Sequence, residues 1–112
     1  KEERYQKLLT QPMLSSYIIA VCMKRDEKKS VPEVEEIGAV FCAVENMHLT
    51  AAAYGVGAYL STGGITYFEE AKEFFGLRKD DKLLGFFHVG MATSAPPDGR
   101  RKPLEEKVKW VS

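Results

Sequence analysis

Apolar positions fall in dense runs along this chain, separated by charged stretches. Tyr17-Ile18-Ile19-Ala20-Val21-Cys22-Met23 is compact and rich in β-branched residues, which predicts a strand buried on both faces. A polar stretch over residues 3–11 predicts a short helix, followed by Pro12 and Met13-Leu14. Lys24-Arg25-Asp26-Glu27-Lys28-Lys29 reads as a solvated loop. Ser30-Val31-Pro32-Glu33 has the form of a capping box, with Pro tolerated in the first turn where its missing N–H costs nothing. The helix it opens is predicted from about residue 32 to about residue 54. From Ile37 to Val56 it is apolar on nearly every face, broken mainly by Glu45, Asn46, His48 and Thr50. Such a helix belongs inside a core or a subunit interface.

Gly55 and Gly57 end that helix. Ala58-Tyr59-Leu60 read as extended and Ser61-Thr62-Gly63-Gly64 as a flexible loop. Thr66-Tyr67-Phe68-Glu69 predicts a second capping box, opening a helix that stops near Gly76. Its Phe68, Phe74 and Phe75 require a core or partner to cover them. Asp80-Asp81 predict a turn. Leu83-Leu84-Gly85-Phe86-Phe87-His88-Val89-Gly90-Met91 predicts a second strongly apolar strand. Ala95-Pro96-Pro97-Asp98-Gly99 breaks regular structure, and the tail closes on Val108-Lys109-Trp110-Val111. Elements in this order give an α+β domain, with too few strands for a sheet of ordinary size. A segment outside this sequence or a second chain would supply more.

Composition narrows the function classes. A chain of 112 residues is one domain or a piece of one. Its 16 basic and 16 acidic residues cancel, which gives no reason to expect a nucleic-acid or anionic-membrane surface. Glu45, Asn46 and His48 sit in the middle of the apolar helix, where a membrane span would exclude them. Cys22 and Cys42 form no Cys-x-x-Cys pair, and the histidines are not clustered, so neither a zinc site nor a disulfide scaffold is expected. Both cysteines are read as buried free thiols, in keeping with a reducing, cytoplasmic location. The opening Lys1-Glu2-Glu3-Arg4 lacks an initiator Met and reads as an internal start.

No catalytic side-chain constellation stands out. His48 and His88 lie in apolar elements and read as core or interface histidines. Glu35-Glu36 and Glu69-Glu70 read as first-turn carboxylates that complement the helix dipole. Two features rise above background. In Ser61-Thr62-Gly63-Gly64, adjacent glycines leave backbone N–H groups free to approach a ligand. In Arg100-Arg101-Lys102-Pro103, a guanidinium pair after a Pro/Gly loop suits a phosphate, although a solvated basic turn has the same composition.

The order of these pieces resembles the C-terminal half of the FMN-dependent nitroreductase family. The strand 17–23 comes first, then the helix from Glu35 to Gly57 carrying Glu45-Asn46 and Ala51-Ala52-Ala53-Tyr54-Gly55-Val56-Gly57. The Thr62-Gly63-Gly64 loop, the strand Leu84-Gly85-Phe86-Phe87-His88-Val89-Gly90 and Arg100-Arg101-Lys102-Pro103 follow. The resemblance implies that residues 1–112 are the C-terminal portion of a single nitroreductase-like domain whose N-terminal half is absent. It implies an α+β homodimer with a long buried central helix packed on a mixed or antiparallel sheet. It further implies FMN at the subunit interface, with Thr62, Gly63 and Gly64 facing the flavin and Arg100 or Arg101 contacting its phosphate. Lys102 is a third candidate for that phosphate contact. The activity so implied is hydride transfer from NAD(P)H to FMN, then reduction of nitroaromatics or quinones. Two other readings are a non-catalytic dimerisation or binding fragment, and a flavin enzyme of this fold with another reaction, such as reductive dehalogenation.

Overall fold

The computed structural model describes residues 1–10 and 14–112, with every side chain among them except that of Leu8. The element order is α1 (Glu2–Thr10), β1 (Tyr17–Met23), α2 (Glu33–Ala53), β2 (Gly57–Ser61), α3 (Glu69–Phe74) and β3 (Lys82–Gly90). Short 3-10 turns at Gly64–Tyr67 and Leu104–Glu106 complete it. The polar start is helical as expected, while the readings of Gln11, Pro12 and Met13 lie outside the described residues.

The architecture is α+β. β3 is the central strand of an antiparallel sheet ordered β1-β3-β2. Its register sets Val21 opposite Gly85 and Leu60 opposite Phe87, with a bulge between Val21 and Cys22. The extended reading of residues 58–60 becomes a full third strand. It pairs with β3, 25 or more residues later, rather than with a neighbour in sequence.

Side chains alternate across a strand, so β3 feeds two faces. Phe87, with Val21 and the helical Val44, forms the buried core on the α2 side, flanked by Val40, Ala58, Leu60, Leu84 and Val89. Phe86 faces the other way and meets the Phe75 ring at 5.8 Å between centroids. That contact anchors the end of α3, while Phe68 and Phe74 stay exposed.

Several local expectations are corrected. Ser30 does not cap α2: its N–H and hydroxyl both donate to the Asp26 carboxylate, and Pro32 takes the cap position without a side-chain bond. Residues 24–29 are not simply solvated. The Arg25 guanidinium bonds the Glu36 carboxylate and the Val31 carbonyl (2.8 Å), so Glu36, a first-turn carboxylate of α2 as read, also holds this loop. Along α2 only Val44 is buried within the single chain, and Phe41, Met47 and Leu49 are exposed. The same holds for Tyr17, Ile18 and Ile19 at the start of β1, so only its far end is covered. Cys42 is exposed rather than buried. Cys22 is half-buried, and that burial, seconded by the nearby Asp81 charge, pushes its thiol pKa up.

Candidate functional site

The candidate site begins where β2 leaves the sheet. Ser61 is still in register with Phe86. The chain then turns through Gly63 at φ 85° and Gly64 at φ 56°, left-handed conformations that disfavour any side chain with a Cβ. Thr66 is buried, and both its N–H (3.2 Å) and its hydroxyl (2.9 Å) donate to the Gly63 carbonyl. The turn is therefore closed on itself by two hydrogen bonds to one carbonyl. Thr66 is consumed in that lock and does not cap α3, whose N-terminus begins at Phe68 without a side-chain cap.

This arrangement leaves backbone donors to spare. Among the described residues, the N–H groups of Gly63 and Gly64 have no backbone acceptor. A Cβ built at Gly64 would meet nothing within 4 Å, and one at Gly63 only the edge of Tyr67, at 3.8 Å. The turn thus presents unspent donors on an open approach, which suits the heteroatoms of a planar ligand. Beside it lies an open, mostly apolar depression of about 490 Å³ lined by Ile65, Phe68, Glu70 and Ala71.

β3 holds the turn from behind. A Cβ at Gly85 would stand 2.6 Å from the Ser61 carbonyl oxygen and 3.2 Å from the Thr62 methyl, so only glycine admits this crossing. Three residues on, the His88 ring lies between two hydroxyls, with Nε2 3.1 Å from Ser61 Oγ and Nδ1 3.2 Å from Ser15 Oγ. His88 is half-buried and satisfied, as the core reading required. His48 is exposed on α2 within the single chain, edge-on to Phe87 at 5.8 Å, which leaves the interface alternative for it.

Arg100 and Arg101 lie in an exposed tail. Residues 91–112 are all exposed, and Arg101 Nη1 donates to the Arg100 carbonyl at 3.0 Å. Lys102 meets Glu106 at 3.7 Å. Among the described residues, no hydrogen bond or ion pair joins Arg100 or Arg101 to Thr62, Gly63 or Gly64.

A charged node sits at the start of β3, the end toward which the chain leaves β2. Asp81, read as an ordinary turn residue, is fully buried. Its carboxylate accepts the main-chain N–H groups of Arg25 (2.8 Å) and Arg78 (2.8 Å) and the Arg78 guanidinium (3.1 Å). These donors, the guanidinium foremost, hold its pKa far below the usual carboxylate range. Nothing in the Asp80-Asp81 dipeptide separates the buried acid from its exposed neighbour; the signal is the pairing of distant segments. The described residues contain no group of three or more His, Cys, Asp or Glu able to hold a metal ion, and no helix long and apolar enough to cross a membrane.

Comparison with known proteins places the chain in a family. The profile described as the nitroreductase family matches residues 1–91. The chain is 33% identical over 89 residues to the Escherichia coli K12 protein named "Putative NAD(P)H nitroreductase YdjA", covering 80% of this chain and 49% of that protein. It is 24% identical to the similarly named YfhC of Bacillus subtilis, covering 45% of it. The chain therefore spans about half the length of the curated relatives it matches. A crystal structure of a nitroreductase-like family protein from Bacillus cereus superposes with a TM-score of 0.82 at 27% identity, over 99% of this chain and 60% of that one.

Proposed function

The chain belongs to the nitroreductase family, and on that premise we propose that it contributes the flavin-facing turn of an FMN-dependent NAD(P)H oxidoreductase. The observation that carries this reading is the Gly63-Gly64 turn, with two unspent N–H donors on an approach that no Cβ obstructs. Thr62, Gly63 and Gly64 would hold the isoalloxazine edge through these donors. Preorganised N–H groups beside the ring favour negative charge there and need no acid–base side chain. Arg100 or Arg101 would hold the phosphate, both being exposed and, among the described residues, paired with no carboxylate. FMN, when bound, supplies the redox chemistry, taking a hydride from NAD(P)H and reducing nitroaromatic or quinone-type substrates. The apolar depression at Ile65 and Phe68 would receive the flat face of such a substrate.

In this reading, residues 1–112 are the C-terminal portion of one nitroreductase-like domain, and the protein works as a cytoplasmic homodimer. The radius of gyration, 17.3 Å, exceeds the roughly 13 Å of a compact chain this long. Trp110 and Val111 on the tail are 87% exposed, and α2 shows Phe41, Met47 and Leu49. A partner subunit covering these surfaces reconciles their apolar character with the open fold. Leu49→Glu should shift the protein toward monomer in light scattering; an unchanged dimer removes α2 from the interface.

The deciding experiment is the visible spectrum of the whole protein, before and after adding FMN, followed by NAD(P)H oxidation with a nitroaromatic acceptor. Flavin bands and turnover are expected. A colourless protein that takes up no FMN overturns the reading.

A further inference from the structure

Two residues of β3 hold the exit of β2 from opposite faces of the sheet. On the α2 face, Gly85 leaves room for the Ser61 carbonyl and the Thr62 methyl, which lie where a Cβ would stand or touch. On the other face, the His88 ring bridges the Ser61 and Ser15 hydroxyls. His88 pairs with Tyr59 in the ladder, so Ser61, two residues on from Tyr59, lies diagonally across on the same face.

The ring joins the two hydroxyls in either tautomer. With the proton on Nε2, the ring donates to Ser61 Oγ, which donates on to the Phe86 carbonyl at 3.4 Å; with the proton on Nδ1, the ring donates to Ser15 Oγ and accepts from Ser61. The chain of contacts runs Ser15 to His88 to Ser61 to Phe86. It ties the segment before β1 to the last residue before the glycine turn.

We infer that His88 is a positioning residue for the Thr62-Gly63-Gly64 turn, acting through Ser61 while Gly85 fixes the opposite face. The inference rests on the flavin-facing reading for its consequence, but the pin itself is a property of the fold. Ser61 is the last residue in register, and the unspent N–H donors lie two and three residues beyond it. A rotation of Ser61 about its backbone would carry those donors with it. The His88 contact anchors Ser61 to the sheet, and the Gly63–Thr66 lock is built on that anchor, so loosening Ser61 loosens the lock as well.

The test compares His88→Phe, His88→Gln, Ser61→Ala and Ser15→Ala with the parent, in the whole protein. The first readout is amide exchange at Thr66, held by the Gly63 carbonyl, against Val21 and Phe87 in the sheet core. The second is the Kd for FMN, and the third is the His88 tautomer from two-bond ¹H–¹⁵N correlation spectra. Loss of the pin should speed Thr66 exchange about five- to tenfold, the worth of about one hydrogen bond, and leave Val21 and Phe87 unchanged. FMN affinity should fall by a similar factor, His88→Gln should recover most of both, and the parent should show one fixed tautomer. Unchanged Thr66 exchange, exchange raised equally at Val21 and Phe87, or a ring that averages between tautomers overturns the proposal. If His88→Phe fails to fold, Ser61→Ala and Ser15→Ala break the same bridge from its two ends and are read by the same criteria. If the parent binds no FMN, the flavin reading fails, while the exchange and tautomer data still decide the pin.

Discussion

The main-chain N–H of Arg25 donates to the Asp81 carboxylate at 2.8 Å, joining residues 56 apart in sequence. Arg78 completes the node by donating to the same carboxylate from its N–H and its guanidinium, and to the Arg25 carbonyl. The end of β1, the start of α2 (through Glu36) and the turn into β3 all meet there. Asp81→Asn keeps the shape but replaces one acceptor oxygen by a donor facing donors. A loss of about 2–3 kcal/mol is expected, since hydrogen bonds involving charged groups are the stronger ones and buried groups left unpaired are costly. Chemical denaturation checks it, and a change within about 0.5 kcal/mol would mean that solvent replaces the contacts.

Acid should weaken the protein through the same residue. Its folded pKa is depressed by the Arg78 guanidinium and the two main-chain donors. The unfolded chain therefore binds the proton first, at about pH 3.9, and the folded state resists it. The contribution of Asp81 is fully present above about pH 5 and declines steadily as pH falls further. Denaturation midpoints should be flat in this term above about pH 5 and drop below it, with a shallower drop in Asp81→Asn. Parallel curves would assign the acid sensitivity to other carboxylates.

Gly85→Ala inserts a methyl group 2.6 Å from a backbone oxygen, which cannot rotate away as a side chain would. Overpacking of this kind costs about 1–3 kcal/mol. The thermal midpoint should fall, and chemical shifts of Ser61 and Thr62 should move more than those of β1. Gly38→Ala, on α2 with open space around it, is the control and should be neutral or stabilising.

Arg100→Ala and Arg101→Ala should separate their roles. The one that reaches the phosphate should raise the FMN Kd by about tenfold or more, and the other should change it less than about twofold. Both are exposed in the tail, so neither should lower the melting temperature of the flavin-free protein. Equal and negligible effects would leave the phosphate to residues outside this chain.

The local pattern was enough for the elements and their order. The β-branched run at 17–23, the long apolar stretch of α2 and the apolar run of β3 are each dense apolar segments bounded by charged or glycine-containing stretches, which no tertiary contact is needed to reveal. The resemblance to nitroreductases was legible for the same reason, as ordered motifs along one line, and the family match over residues 1–91 agrees with it. Competition among segments was not legible. Ser30 and Thr66 had the composition of caps, yet Asp26 and the Gly63 carbonyl took their hydrogen bonds. The missing side chain of Gly85 mattered only once Ser61 crossed it, and His88 became a bridge only once Ser15 and Ser61 met it on one face of the sheet. Asp80 and Asp81 are the same residue type in adjacent positions. Folding left one at the surface with Lys29 and buried the other among donors from Arg25 and Arg78. Sequence determined which segments become strands and helices, because those preferences act within a few residues. Tertiary structure decided which polar groups are spent and which stay free for a ligand, because a hydrogen bond belongs to whichever partners the fold brings within about 3 Å.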